Sequence, residues 1–504
     1  MIDIKLLREN PELVKENIKK KFQEEKLFLV DKVLRLDADW RKIKHEEDSL
    51  RSERNKISEK INQLKKEKKD VANEIKIAKE IPLKIVALEE KRKRLEEELK
   101  LSLMLIPNII DSSVPLGKDA SQNVEVKKVG KVRNFDFPPK NHIELGESLG
   151  ILDCDSSASV SGKGFYYLKG DLAILNQALI NFARDYMVKQ GFMYVEPPLM
   201  IRKEIVDGVV SFADLESMIY KVEGEDLYLI GTSEHSLIGQ FIGKTLTLKD
   251  LPVLQTAYSM CFRKEVGSHG VEEKGLFRTH QFNKQEMIVI CEPSESRKWF
   301  DKIAQYTVDV FSKLEIPIRV LEMCSGDLGD LKSKQIDVEA WSPIKKEYYE
   351  VGSCSNLTDA QARRLGIRIE NKGERYFAHT LNNTVIATSR ALVAFMENHQ
   401  QKDGSINVPK SLWKYTGFRE IKRKTSMPSK LGQHKETKAR KVGVKKVENK
   451  KTEGKKHEFK EVKINNNKKL ILPPKKQLIQ PPKKKEKPTK IKAKPIKTAV
   501  KKKK

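Results

Sequence analysis

Cysteine is scarce in this 504-residue chain: five residues, at 154, 261, 291, 324 and 354. They are widely spaced, odd in number and form no Cys-x-x-Cys pair, which argues against a disulfide framework or a zinc knuckle and for free thiols in a reducing compartment. No apolar run reaches the roughly 18 residues of a membrane span. The start, Met1-Ile2-Asp3-Ile4-Lys5, lacks the apolar core of a signal peptide. The chain therefore reads as cytoplasmic, with no membrane partner. No Gly-x-Gly-x-x-Gly follows a strand pattern, which excludes a Rossmann site. Gly243-Lys244-Thr245 ends like a phosphate loop, but the first glycine of such a loop would stand at Ile238. Nucleotide binding has to come from another geometry.

Charge is present in excess, but in one place. The formal net charge is +28, and residues 421–504 carry 32 Lys+Arg against 6 Asp+Glu, while everything before them has 67 against 65. The body must therefore bind a polyanion through local patches rather than a global field. The 421–504 segment has one aromatic, Phe459, and repeated Pro-Lys blocks, so it cannot bury enough apolar surface to fold and is expected to be a disordered basic tail.

The first hundred residues carry a coiled-coil pattern. Val33, Leu36, Trp40, Ile43, Leu50, Ile57, Ile61, Leu64 and Val71 follow three- and four-residue steps, with Glu47, Arg54 and Lys68 at the remaining seam positions. Ile81, Ile85, Leu88, Leu95, Leu99 and Leu103 repeat the spacing after a polar break near 66–73. Two helices joined by a short turn, spanning about 28–104, would form an antiparallel hairpin reaching roughly 50–60 Å. Pro82 is expected to mark a kink or a helix start. Periodicity alone favours a dimerising coiled coil with no ligand.

Arg263 leads out of the apolar run Tyr258 to Phe262; glycines at 267, 270 and 275 turn the chain; a second run, Leu276 to Ile290, carries Arg278, His280, Phe282 and Glu286. Two adjacent antiparallel strands would set a phosphate-binding guanidinium, an aromatic face and a carboxylate on one surface. By itself such a segment is more often a charged hairpin. It stands with two others: Gly191-Phe192-Met193-Tyr194-Val195-Glu196-Pro197-Pro198-Leu199, after a helix over roughly 172–190, and Leu381-Asn382-Asn383-Thr384-Val385-Ile386-Ala387-Thr388-Ser389-Arg390, running into an apolar helix from Ala391 to His399.

In this order the three segments resemble motifs 1, 2 and 3 of the class II aminoacyl-tRNA synthetases, in wording closest to the seryl-tRNA synthetases and nearer to archaeal or eukaryotic members than to bacterial ones. The resemblance covers roughly residues 1–415. It implies an α+β protein: an N-terminal tRNA-binding domain with the helical hairpin (1–108), a linker and entry to the core (109–170), a class II antiparallel sheet flanked by helices (171–420), and the tail (421–504). It further implies a homodimer that activates L-serine with ATP and Mg2+ to seryl-adenylate and pyrophosphate. The serine then passes to tRNA-Ser, with the selenocysteine tRNA left open as a second substrate. The hairpin would hold the long variable arm of tRNA-Ser, its lysine-rich faces meeting phosphates.

Site residues follow from the same likeness. Arg263 would clamp the α-phosphate and the serine carboxylate, Glu265 would lie near the adenine amino group, Phe282 would stack on the ring, and Arg390 would hold the γ-phosphate with help from Arg278. Lys264, Thr279, His280, Gln281, Val351 and Gly352 complete the expected ATP site. Glu350 and Ser353 would bind Mg2+, with Glu339 as a further ligand. Thr232, Ser233 and Glu234, the family's Thr-x-Glu element, would face the serine amino group. Glu286 would accept the serine hydroxyl proton, and Asn382 or Thr384 would close the other side. The catalytic set is Arg263, Glu286 and Arg390. A pocket that hydrogen-bonds a hydroxyl rejects alanine and glycine because its own polar groups would be left unpaired.

Two positions depart from the family. Glu272-Glu273-Lys274 stands where related loops more often carry Asp-Thr-Arg or Asp-Thr-Lys, which bears on acceptor-end contacts, and Ser389 stands where bacterial relatives have glycine. The tail would be a sticky arm for RNA or another acidic partner, or a dispensable extension. Two other functions remain in view: a seryl-like ligase that charges a carrier protein, which would leave the hairpin without a purpose, and a catalytically impaired paralogue that binds nucleic acid, which the retained Arg263, Glu286, Glu350 and Arg390 oppose.

Overall fold

The computed structural model describes residues 1–211, 215, 217–265 and 275–424. The readings made for the tail beyond 424 and for Glu272 to Lys274 lie outside the described residues.

The seam periodicity yields two long helices, α1 (Phe28–Lys66) and α2 (Ala72–Leu105), paired antiparallel. Val33 and Ile43 of α1 and Ile81 and Ile85 of α2 are buried. Glu47 occupies a seam position and is buried too, held by Arg92 across the pair at 2.8 Å and by Arg51 at 2.9 Å, a polar peg that fixes register. Pro82 does not start a helix. The α2 start is set ten residues earlier, where Asp70 accepts from the Ala72 N–H at 3.0 Å. The helix runs on through the proline, where burial of Ile81 and Ile85 offsets the one lost hydrogen bond.

The remaining elements that position the site are an eight-stranded sheet and four helices. The strands are β1 (Val124–Val129), β2 (Met193–Val195), β3 (Val253–Phe262), β4 (Gln281–Cys291), β5 (Ile318–Glu322), β6 (Lys334–Ser342), β7 (Glu347–Thr358) and β8 (His379–Ala387). The helices are α3 (Gly170–Lys189), α4 (Ser233–Gly239), α5 (Ser296–Lys313) and α6 (Thr388–His399). The sheet order is β1-β5-β6-β7-β8-β4-β3-β2, antiparallel except for the β2–β3 pair. Its centre is covered on both faces: Met287 and Val289 of β4 join Leu179, Phe300 and Phe395 in one apolar layer, while Ile288 and Ile290 join Ile230, Leu237 and Leu365 in the other. Period-two alternation explains the split.

The segment 109–170, read as linker and entry to the core, supplies β1 at the sheet edge; its Val-Glu-Val-Lys-Lys-Val sequence is exposed nearly throughout, as suits a short charged edge strand. One expectation changes. The strand expected from Leu276 begins only at Gln281. Before that, the Leu276 N–H donates to His142 Nε2 at 3.2 Å and the His280 N–H to the Gly164 carbonyl at 2.9 Å, so these backbone groups are satisfied outside the sheet. Gly275, at φ +89°, packs so close to His142 that a Cβ would lie 2.3 Å from its Nε2. All five cysteines are free thiols, and among the described residues no helix is long and apolar enough to cross a membrane.

Candidate active site

Strand β4 presents Phe282, Lys284 and Glu286 on one face. Glu286 is buried, and its Oε2 gathers three donors: Lys284 Nζ at 2.6 Å, Thr232 Oγ1 at 3.2 Å and Thr384 Oγ1 at 3.5 Å. Thr384 faces Glu286 by register on β8. Asn382 lies two residues earlier on the same face, whereas Asn383 points the other way and donates to the Ile303 carbonyl and Thr307. Thr232 caps α4 and accepts from the Glu234 N–H at 3.3 Å. Ser233 donates to the Ala257 carbonyl at 3.3 Å, a structural bond to β3. Glu234 is half-buried; burial first, and then the negative charge of Glu286, push its pKa up to about 7. Its neighbour His235 is pushed down to about 3 by burial and stays neutral.

The other end of the pocket is made by charges from β7, from α6 and from the segments that follow β3 and precede β4. Arg263, just past β3, donates from Nε to the Gly231 carbonyl at 3.3 Å and lays its guanidinium 5.3 Å from the Phe282 ring centre. Arg390, in the first turn of α6, donates to the Glu350 carbonyl at 2.9 Å and to its Oε2 at 3.0 Å, and lies over Phe277. The enclosing cleft walls act to raise the Glu350 pKa, but the charge and hydrogen bond of Arg390, with Arg263 behind, more than offset them and hold the carboxyl, still about half exposed, below its ordinary range. Arg278 reaches Glu265 Oε2 at 3.4 Å, and Glu265 holds a left-handed backbone at φ +50°.

Of the expected ATP residues, Arg263, Glu265, Arg278, Thr279, Phe282, Glu350, Val351, Gly352 and Arg390 line one pocket. The others stand behind it. His280 is wedged against Gly164 and Tyr220, with its Nδ1 3.0 Å from the Arg263 carbonyl; Gln281 turns toward Met260; Lys264 ties its N–H to the Met218 carbonyl at 3.0 Å.

Residues 1–110 match the seryl-tRNA synthetase N-terminal domain, and residues 219–399 match the tRNA synthetase class II core domain (G, H, P, S and T). The serine--tRNA ligase of Pyrococcus horikoshii is 45% identical over 443 residues, 84% of this chain and 97% of that protein. That of Methanoregula boonei is 42% identical over 424 residues, 84% and 100% of the two chains. The chain belongs to the seryl-tRNA synthetases. Solved relatives agree. Seryl-tRNA synthetase from P. horikoshii complexed with ATP superposes with a TM-score of 0.79 at 44% identity, covering 84% of this chain and 100% of that one. The cytoplasmic serine--tRNA ligase of Naegleria fowleri in complex with AMP gives 0.75 at 33%, covering 84% and 99%.

For a class II serine--tRNA ligase, the metal donors are the point at which expectation and structure part. Glu350 lines the pocket, whereas Ser353 and Glu339 do not, and Glu339 receives Arg319 Nε at 2.5 Å. Asp337, not singled out in the sequence, lies opposite Ser353 by register, and burial followed by the charge of Glu350 pushes its pKa up. Among the described residues no three His, Cys, Asp or Glu side chains come together as a metal-holding group, and Glu350 is already paired with Arg390. Lys284, which lines the pocket, was also missed; the alternation from Phe282 to Glu286 passes through it.

Proposed function

We propose a division of labour for serine activation and transfer in this pocket. Arg263 binds the α-phosphate and the serine carboxylate, bringing nucleophile and phosphorus together; Phe282, whose one face carries Arg263, stacks the adenine on the other; Glu265 meets the adenine amino group; and Arg390 exchanges its pairing with Glu350 for the γ-phosphate. Thr232 and Glu234 receive the serine ammonium, while Glu286, with Asn382 and Thr384, receives the hydroxyl. Glu350 and Ser353 would hold Mg2+, whose charge neutralises the polyphosphate. No side chain forms a covalent bond; alignment and charge neutralisation carry the rate. The carrying observation is that Arg263, Glu350 and Arg390 line one cleft together with Lys284 and Thr384, and that Glu286 is bonded to those last two directly behind its wall.

Homodimerisation through α3 and β2 is proposed on exposed apolar side chains there, Ile174, Val188, Met193, Leu199 and Met200, beside the last strand of the sheet. The α1–α2 hairpin is proposed to hold tRNA-Ser by its long arm, the tail to add electrostatic affinity for RNA, and the five free thiols fit a cytoplasmic enzyme. Serine-dependent ATP–pyrophosphate exchange tests the assignment: exchange with serine and charging of tRNA-Ser are expected. Exchange without tRNA charging, but with loading of a carrier protein, would replace the acceptor; no exchange at all would make the chain a binding protein.

A further inference from the structure

The short helix Ala360–Leu365 lies outside every motif above, yet it sets a buried amide against Glu234. Gln361 is fully buried. Its Nε2 donates to Glu234 Oε1 at 2.8 Å, and its Oε1 accepts from Thr380 Oγ1 at 2.7 Å. Thr380 belongs to β8, four residues before Thr384. The threonine hydroxyl therefore fixes which way the amide faces: with Oε1 taken, the NH2 group must point at Glu234. A flipped amide would set oxygen against carboxylate and leave the Thr380 hydroxyl without its acceptor.

We infer that Gln361, oriented by Thr380, is a positioning residue for serine recognition, holding the Glu234 carboxylate in the rotamer and the ionised state that the amino-acid ammonium requires. The inference rests on the proposed role of Glu234. One oxygen of that carboxylate is fastened by the amide, which leaves the other for the incoming ammonium. Charged groups that act on Glu234 come from two other elements, Glu286 and Lys284 on β4 and Lys332 in the loop before β6. Burial and Glu286 both oppose ionisation, and the Gln361 hydrogen bond, followed by the two lysines, favours it.

The same helix is fastened from its far side. Arg363 Nη2 pairs with Asp3 at 2.9 Å, and Arg364 Nη2 donates to the Met104 carbonyl at 3.0 Å. The base of the hairpin thus braces the helix that carries Gln361.

The test uses pyrophosphate exchange with the full chain and the variants Gln361→Met, Thr380→Val, Thr380→Ser and Glu234→Gln. Methionine keeps the volume of glutamine but cannot donate. A lost hydrogen bond to a charged group predicts a rise of about 10- to 100-fold in KM for serine, with KM for ATP and kcat at saturating serine near parental. The acid limb of kcat/KM for serine should move to higher pH. Thr380→Val should shift both in the same direction and Thr380→Ser should restore them. A merely structural role would lower Tm and the active fraction without moving the acid limb. If Glu234→Gln impairs serine use while Gln361→Met leaves serine KM and the limb at parental values, the inference about Gln361 is overturned alone. If Glu234→Gln itself leaves serine KM unchanged, the role of Glu234 fails and the inference falls with it.

Discussion

Lys284 Nζ lies 2.6 Å from Glu286 Oε2, with both side chains almost wholly withdrawn from solvent. Two residues apart on β4, they form a buried ion pair between the serine and phosphate ends of the pocket. Glu286 has two hydroxyl donors besides the lysine, so among the described residues the lysine is the one full charge set against it at contact distance. Lys284→Met should therefore leave a buried carboxylate unpaired and cost about 3 kcal/mol or more in stability. Adding Glu286→Gln should recover most of the Tm without recovering serine-dependent exchange. Additive losses in the two single variants and the double would refute the pairing.

Arg390 and Glu350 form an ion pair that is open to solvent, so removing it should matter little for folding. Arg263→Ala and Arg390→Ala should each lower the rate of exchange by about 30- to 1000-fold through lost phosphate contacts in the transition state. Thermal melts should stay near parental. A parental rate of seryl-adenylate formation in Arg263→Ala would remove it from the α-phosphate.

Glu234 is an acid whose pKa is pushed up to about 7. It is protonated below that pH and cannot then hold the serine ammonium by charge. Accordingly, kcat/KM for serine should fall by about tenfold per pH unit below 7, a dependence that Glu234→Gln should abolish. The sign for stability follows from linkage: a raised folded pKa favours the folded state at low pH, and that contribution is lost as pH rises through about 7. Glu234→Gln should thus melt higher than the parent at pH 8, the gap narrowing toward pH 4.5, as differential scanning calorimetry would show.

The hairpin can be shortened without disturbing its root. Replacing residues 46–92 by a short Gly-Ser turn removes the Glu47–Arg92 peg but keeps Asp37 with Arg8 and Arg41. Exchange should persist while charging of tRNA-Ser falls to a small residue. Deleting 1–108 outright should also raise KM for serine, because Asp3 and Met104 brace the helix of Gln361. Equal loss of exchange and charging in the shortened variant, with circular dichroism unchanged, would assign the hairpin a structural role instead.

Truncation should follow Lys424 rather than 420, since Lys424 Nζ bonds Asp171 Oδ1 at 2.6 Å. The shortened chain should form adenylate normally, bind tRNA more weakly at low salt, and show a flatter log–log dependence of affinity on salt, because fewer counterions are released. Identical slopes would take the tail off the tRNA.

The motifs were legible because each is contiguous in sequence: Phe282 to Glu286 obey strand alternation, and the seam residues of α1 obey heptad spacing. Residues that act across elements were not. Gln361 and Thr380 join Glu234 from 127 residues away and from β8, and no local pattern marks them. Asp337 shares the Glu339 face of β6 by alternation, and only the irregular register after Val338 and the presence of Arg319 distinguish their surroundings. β1 escaped because an edge strand of valines and lysines has the composition of a loop.

The polar fastening at the root of the hairpin has a mechanical side. Asn108, where the chain leaves α2, sets its amide against the Leu331 and Leu357 carbonyls, and its own carbonyl accepts from Asn17; Lys21, Gln23 and Lys26 reach Gly329 and Asp330. At 39 residues, α1 is a lever of about 58 Å. Such a lever magnifies any rotation at its pivot, so a tilt of a few degrees at Asn108 sweeps the tip through several ångströms. The aim of the tip is then governed by a handful of amides and lysines at the root, and softening that pivot, as with Asn108→Ala, would blur the angle of the tip while every residue at the tip stayed as it was.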